Sequence, residues 1–194
     1  YQENYRHITE DRPIRVAVPV NLRPYFDSIT TKNFFVMVSA EFAPQKNEYT
    51  FAEILTITKD SLRAQINKEH LEKIFSYNVS NELMVVARAV PLFLKNLAMR
   101  LVYTQSALAN TTTVTNIGNI KVEKVYEPYI QTVHSFLSFS KGQSLKATIT
   151  SYQDTLVYTY TSAWQDTAIQ RRVFRQIAQD GIDVKIETNG VYYE

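Results

Sequence analysis

The three histidines are the first candidates for acid–base or metal chemistry in this sequence, and their neighbours decide what each can do. His7-Ile-Thr-Glu-Asp11 places a histidine four residues before an aspartate, a spacing that suits an imidazole general base with a carboxylate to orient it. A two-residue match at one spacing recurs often by chance. His134 stands between Val133 and Ser135 in a strand-like run, and His70 stands among charges on a helix-like one. Neither has a cysteine or second histidine close in sequence for a triad or metal site, so no metal is assigned. There is no cysteine, which excludes disulfides, thiolate metal sites and a cysteine nucleophile in this chain. With four glycines and no Gly-x-Gly-x-x-Gly or Walker-type loop, a Rossmann or P-loop nucleotide site is not encoded either. Tyr152, Tyr158, Tyr160 and Trp164 allow an aromatic platform, although sheet packing is their ordinary role. Arg171, Arg172 and Arg175 invite a phosphate, although an outer helix face explains them as well.

The elements that would position these residues follow from periodicity. Ile14, Val16, Val18 and Val20 alternate with Arg15, Ala17, Pro19 and Asn21, which predicts a strand with one buried face. After a polar loop over 24–32, Phe34, Val36, Val38 and Ala40 alternate in a second strand. Thr50 with Glu53 forms a capping-box signature for a helix carrying Leu55, Leu62 and Ile66. Leu71, Ile74 and Phe75 continue it after a break near Asn67, as one long or two short helices. Ser80 or Asn81 is expected to cap a further helical run to about Ala89, and Pro91 to kink it or open the next helix through Val102.

Thr112-Thr-Val-Thr115 before Asn116-Ile-Gly118 suits a strand that ends in a glycine turn. A strand is expected over Tyr129 to Phe139. Leu145, Ala147 and Ile149, then Leu156, Tyr158 and Tyr160, predict an antiparallel hairpin linked by Gln153-Asp154. Ile169, Val173 and Ile177 mark an amphipathic helix stopped by Gly181, and Ile182, Val184 and Ile186 a last strand. The class is therefore α+β, a two-layer α/β sandwich with a mixed, largely antiparallel sheet covered by helices.

Composition narrows the partners. The 194 residues carry 45% hydrophobic content and a formal charge of +2, from 21 basic and 19 acidic side chains. A single domain with a sizeable core is expected, and long-range attraction to nucleic acid has little to act through. The longest apolar stretch, around Leu83 to Leu101, is interrupted by Arg88, Pro91, Lys95 and Arg100, short of the roughly 18 residues a membrane span needs. The chain is expected to be soluble and cytoplasmic. Its first residue, Tyr1, follows no start or signal, so the sequence reads as part of a longer polypeptide.

Several stretches in order resemble the C-terminal half of alcohol O-acetyltransferase-like and condensation-domain-like proteins, of the chloramphenicol acetyltransferase-like superfamily. They are Val18-Pro-Val-Asn-Leu-Arg-Pro24, Asn33-Phe-Phe35, Val90-Pro-Leu-Phe-Leu-Lys-Asn96, Thr115-Asn-Ile-Gly118, Ser151-Tyr-Gln-Asp154 and Asp180-Gly-Ile-Asp-Val-Lys-Ile-Glu187. The resemblance implies two similar halves around a tunnel where an acyl thioester meets an alcohol or amine. It assigns residues 1–194 to the C-terminal subdomain and a His-His-x-x-x-Asp general base to the N-terminal half. His7 does not supply that motif, because Arg6 takes the place of the first histidine and the segment lies directly before strand one, so it reads as an exposed loop.

The resemblance implies that Arg23 pairs with the catalytic motif's aspartate, against a local salt bridge within this half. Asn21 would bond the loop backbone, against plain turn chemistry. Asn116 and Gly118 would face the thioester, against a plain turn. Acyl-CoA, or a carrier-protein thioester, is the expected co-substrate, with no covalently bound cofactor. The alternative from another class is a non-catalytic binding or interaction module that keeps the fold. Either way, the half alone should leave an apolar face and self-associate.

Overall fold

The computed structural model describes residues 13–43, 48–83, 90–107, 109–140 and 142–189. Five strands form one open mixed sheet in the order β2-β1-β3-β4-β5: β1 Ile14–Asn21, β2 Phe35–Phe42, β3 Thr112–Asn119, β4 Leu145–Tyr152 and β5 Thr155–Ser162. The outer pairs, β1 with β2 and β4 with β5, are antiparallel, while β1, β3 and β4 run parallel. Four helices accompany them among the described residues: α1 Phe51–Gln65, α2 Lys68–Leu83, α3 Leu92–Ala107 and α4 Ala168–Gln179. The α+β class and the mixed sheet expected from the pattern are both present. None of these helices is long and apolar enough to cross a membrane.

Register assigns each strand residue to a face. Val16, Val18 and Val20 lie opposite Ala40, Val38 and Val36, and Val114, Ala147 and Tyr160 continue the same side across the sheet. Against this face pack Leu71, Ile74 and Phe75 of α2, around a core of fully buried Leu22 and Leu71 with Val36. Phe174 of α4 meets the rings of Tyr158 and Tyr160 at 6.0 and 5.8 Å. The two hydroxyls share a hydrogen bond of 2.9 Å, and burial together with Tyr158 pushes the Tyr160 phenol well above its ordinary value of 10.0.

Local chemistry explains the helix boundaries. The Thr50 hydroxyl accepts from the Glu53 N–H while the Glu53 carboxylate accepts from the Thr50 N–H, the reciprocal box the sequence announced. Asn67 makes the break between α1 and α2: its Nδ2 donates to the Ala64 carbonyl and its Oδ1 accepts from the His70 N–H. The Pro91 carbonyl accepts from Leu94 and Lys95, so the proline opens α3 as expected. At the end of α4, Ile182 N–H reaches Ile177 and Gly181 N–H reaches Ala178, a Schellman closure with Gly181 at φ +85°.

Four expectations need correction. Ser80 and Asn81 do not start a helix, because α2 runs through them to Leu83, and the end of the expected run at 84–89 lies outside the described residues. Asn116-Ile-Gly118 is not a terminal turn but a bulge inside β3, which continues to Asn119. Residues 130–139 are extended yet form no ladder, and sheet side chains take two of their carbonyls: Thr159 donates to Ser135 O at 2.5 Å and Thr161 to Leu137 O, while the Ser135 hydroxyl meets that of Thr150. This strap crosses the sheet face opposite the helices, where Thr148 and Thr150 are 1% exposed. Lastly, 182–187 pairs with no strand among the described residues, although its apolar residues alternate as strand residues do.

One edge of the sheet is guarded by a side chain. The Gln65 amide accepts from the Ser39 N–H at 3.1 Å and donates to the Ser39 carbonyl at 2.7 Å and to Ser61 O at 2.9 Å, standing in for a neighbouring strand along β2. Replacing it, Gln65→Ala, is expected to cost about 1–3 kcal/mol in urea denaturation, because the half-buried backbone groups of Ser39 lose their partner. The tyrosine pair sets an alkaline limit. Tyr160 keeps its proton in the fold beyond the pH at which the unfolded chain releases it, so stability is intact below about pH 10 and falls above it by up to about 1.4 kcal/mol per pH unit. Denaturation midpoints measured above that pH should fall less steeply in Tyr160→Phe.

Candidate functional site

The parallel seam between β1 and β3 is short and then opens. Its register covers Val16 with Thr112 and Ala17 with Thr113 and goes no further. The reason lies in Pro19. Arg15 turns both backbone groups toward β3, its carbonyl accepting from Thr111 N–H at 2.9 Å and its N–H reaching the Thr111 hydroxyl at 3.1 Å. Strand alternation makes Pro19, four residues on, face the same way, and proline has no N–H to offer. The carboxyl ends of the two strands therefore part where the connections turn to opposite sides, β1 to β2 and β3 to β4. A crevice outside parted carboxyl ends is where open α/β sheets bind ligands. Asn21 and Arg23 stand at the end of β1, and Asn116 and Gly118 at the end of β3.

On the β1 side, Leu22 fixes the loop. Its N–H bonds Phe34 O at 3.0 Å, its carbonyl accepts from Tyr25 and Phe26, and its side chain is fully buried. Phe26, Phe34 and Phe75 stack around it with ring centroids 5.6 to 6.3 Å apart. Arg23 then clamps the loop from outside: its guanidinium donates to Thr30 O at 2.9 and 3.1 Å, to Lys32 O at 2.6 Å and to the Asn21 side chain at 3.2 Å. Asn21 also accepts from the Arg23 N–H at 3.1 Å, an Asx turn. Arg23 thus satisfies carbonyls of its own loop, where a salt bridge was the local reading, and Asn21 does turn chemistry. A half-open cavity of about 350 Å³ lies beside the clamp, lined by Arg23 to Asp27 with Lys68 and Glu72 of α2.

On the β3 side, the Asn116 side chain accepts from the Gly118 N–H at 2.9 Å. That donor, expected to face a substrate, is consumed within the bulge. Gly118 is required by its φ of +81° and not by crowding, since a Cβ there would meet nothing within 4 Å.

The remaining candidates fall elsewhere. His7 and Asp11 lie outside the described residues. His134 is exposed, stacked on Phe136 at 6.4 Å and close enough to Glu187 for its charge to act on that carboxylate. His70 is half-buried in the first turn of α2. Among the described residues no group of three or more His, Asp or Glu could hold a metal. Tyr158 and Tyr160 are packing under α4, Tyr152 is buried at the end of β4, and Arg171, Arg172 and Arg175 lie on the exposed side of α4.

The hydroxyl-lined face beneath the strap, with Lys146 and the partnerless buried hydroxyl of Thr148, was missed. Its signal was present in the alternate threonines of Thr148, Thr150, Thr159 and Thr161. Burial lowers the Lys146 pKa there.

No family model, curated protein or solved structure matches this chain. The clamp itself makes a clear prediction. Arg23→Met should free the loop over 24–32 for proteolysis and lower stability by about 1–3 kcal/mol, and Arg23→Lys should not restore it, because an ammonium cannot span three carbonyl directions at once. Limited proteolysis with a denaturation curve checks both.

Proposed function

We propose that this chain forms the C-terminal half of an acyltransferase that moves an acyl group from a coenzyme A or carrier-protein thioester to an alcohol or amine. The observation that carries the reading is the parting of β1 and β3, which sets the two motifs singled out by the resemblance, Asn21 to Arg23 and Asn116 to Gly118, at neighbouring carboxyl ends. Separated strand ends of this kind can form one wall of a tunnel in which two substrates meet, and holding them together supplies much of the catalytic advantage.

The general base in this reading is a histidine of a preceding half. It takes the acceptor's proton while the oxygen or nitrogen attacks the thioester carbonyl, a contribution of about 10²- to 10⁴-fold. This chain supports that step by geometry. Arg23 stiffens the loop at the end of β1 and retains an Nη1 hydrogen for a carboxylate of the catalytic motif. The apolar residues of α3, Leu92, Phe93, Leu97 and Leu101, are each more than half exposed, as expected of a surface whose cover lies in another segment. The setting is the cytoplasm, where acyl-CoA is available.

The test is an acyl-transfer assay on the purified 194 residues, with acetyl-CoA and a panel of short alcohols and amines, beside the sequence encoded immediately upstream. No turnover and an upstream His-His-x-x-x-Asp are expected. Turnover by the 194 residues alone would place the base within this chain and overturn the division of labour. Loss of the upstream motif would instead favour a binding module that keeps the fold without the chemistry.

A further inference from the structure

The two edges of the sheet are treated differently. Along β2 the Gln65 amide occupies the backbone groups of Ser39. Along β5 no outward backbone group has a partner among the described residues, and the strand, Thr155 to Ser162, holds no charge or proline to repel an incoming chain. An uncharged, unbonded edge is a template for one more strand. The same polypeptide carries a segment of that character. Ile182, Val184 and Ile186 alternate with Asp183, Lys185 and Glu187, and Ile182 and Ile186 are 60% and 59% exposed. Within its own copy the segment makes no backbone bond to β5, and its ion pair, Lys185 to Glu187 at 2.6 Å, lies within the segment itself.

We infer that residues 182–187 of one copy add as a sixth strand to the free β5 edge of a second copy, and reciprocally, giving a two-fold dimer by strand exchange. Six extended residues span about 20 Å, within the roughly 27 Å of the eight-residue β5. The apolar side of the added strand would lie beside Leu156, which is 66% exposed, and Tyr158, leaving its charged side on the opposite face. Gly181, already in the left-handed region at the Schellman closure, is the pivot from which the segment leaves α4. Because one chain holds both the bare edge and the strand that fits it, a second copy is the occupant, and the contact is self-complementary about a two-fold axis. Nothing in this inference depends on the acyltransferase reading.

Sedimentation of the 194-residue chain over a wide concentration range, with hydrogen exchange at each end of it, tests the interface. A reversible monomer–dimer equilibrium is expected, in which amides of 182–187 and of β5 slow together as the dimer fills. Val184→Pro removes an N–H from a segment that has no ladder of its own, so its far-UV spectrum should be unchanged while dimerisation weakens about tenfold or more. Ile186→Asp should weaken it likewise, and a peptide of residues 182–187 should dissociate the dimer. A chain monomeric at every concentration overturns the proposal. So does slow exchange of 182–187 in the monomer, which would mean pairing within one copy, and so does a dimer that survives both substitutions.

Discussion

The structure depends on a hydrogen bond that cannot form. At Pro19 the seam between β1 and β3 lacks its donor, and the two strands separate beyond Ala17 and Thr113. Continued zipping would add about two or three ladder bonds, each worth about 1 kcal/mol net. The sequence forgoes them and recovers a comparable amount by burying Leu22 and Leu71 completely around Val36, at about 1.5–3 kcal/mol for each large side chain. The loop that leaves β1 therefore folds down onto α2 instead of following β3, and the two motifs stand at separated strand ends.

The two faces of the sheet are solved by different chemistry. One is apolar and takes helices through Leu71, Phe75 and Phe174. The other is hydroxyl-lined and takes an extended strap, so its order comes from threonine-to-carbonyl bonds instead of packing. A buried hydroxyl without a partner, such as that of Thr148, costs about 1–3 kcal/mol, and it lies where the strap and β4 meet.

How much of this was legible follows from range. Thr50 with Glu53, Pro91, Gly181 and the Gln153-Asp154 hairpin were readable because each acts within about five residues of itself, and the structure repeats them. Residues 130–139 and 182–187 carry strand periodicity, but a strand also needs a free neighbour. The first is intercepted by Thr159 and Thr161, and the second reaches no ladder within its own copy. Gln65 was unreadable as an edge guard because its partner, Ser39, lies 26 residues away. The parting at Pro19 was visible only as a proline in an alternating run, since its consequence depends on which neighbour its missing N–H would have faced.

The same range argument bears on the candidate site. Asn21, Arg23 and Asn116 commit side-chain polar atoms to backbone within ten residues of themselves, two making Asx turns and one clamping a loop, and the Gly118 N–H is the group that Asn116 takes. Groups engaged in this way hold shape, and reacting groups are normally left poised for a substrate. The core at the end of β1, with Leu22 fully buried among three phenylalanine rings, is what holds these shape-keeping groups in place.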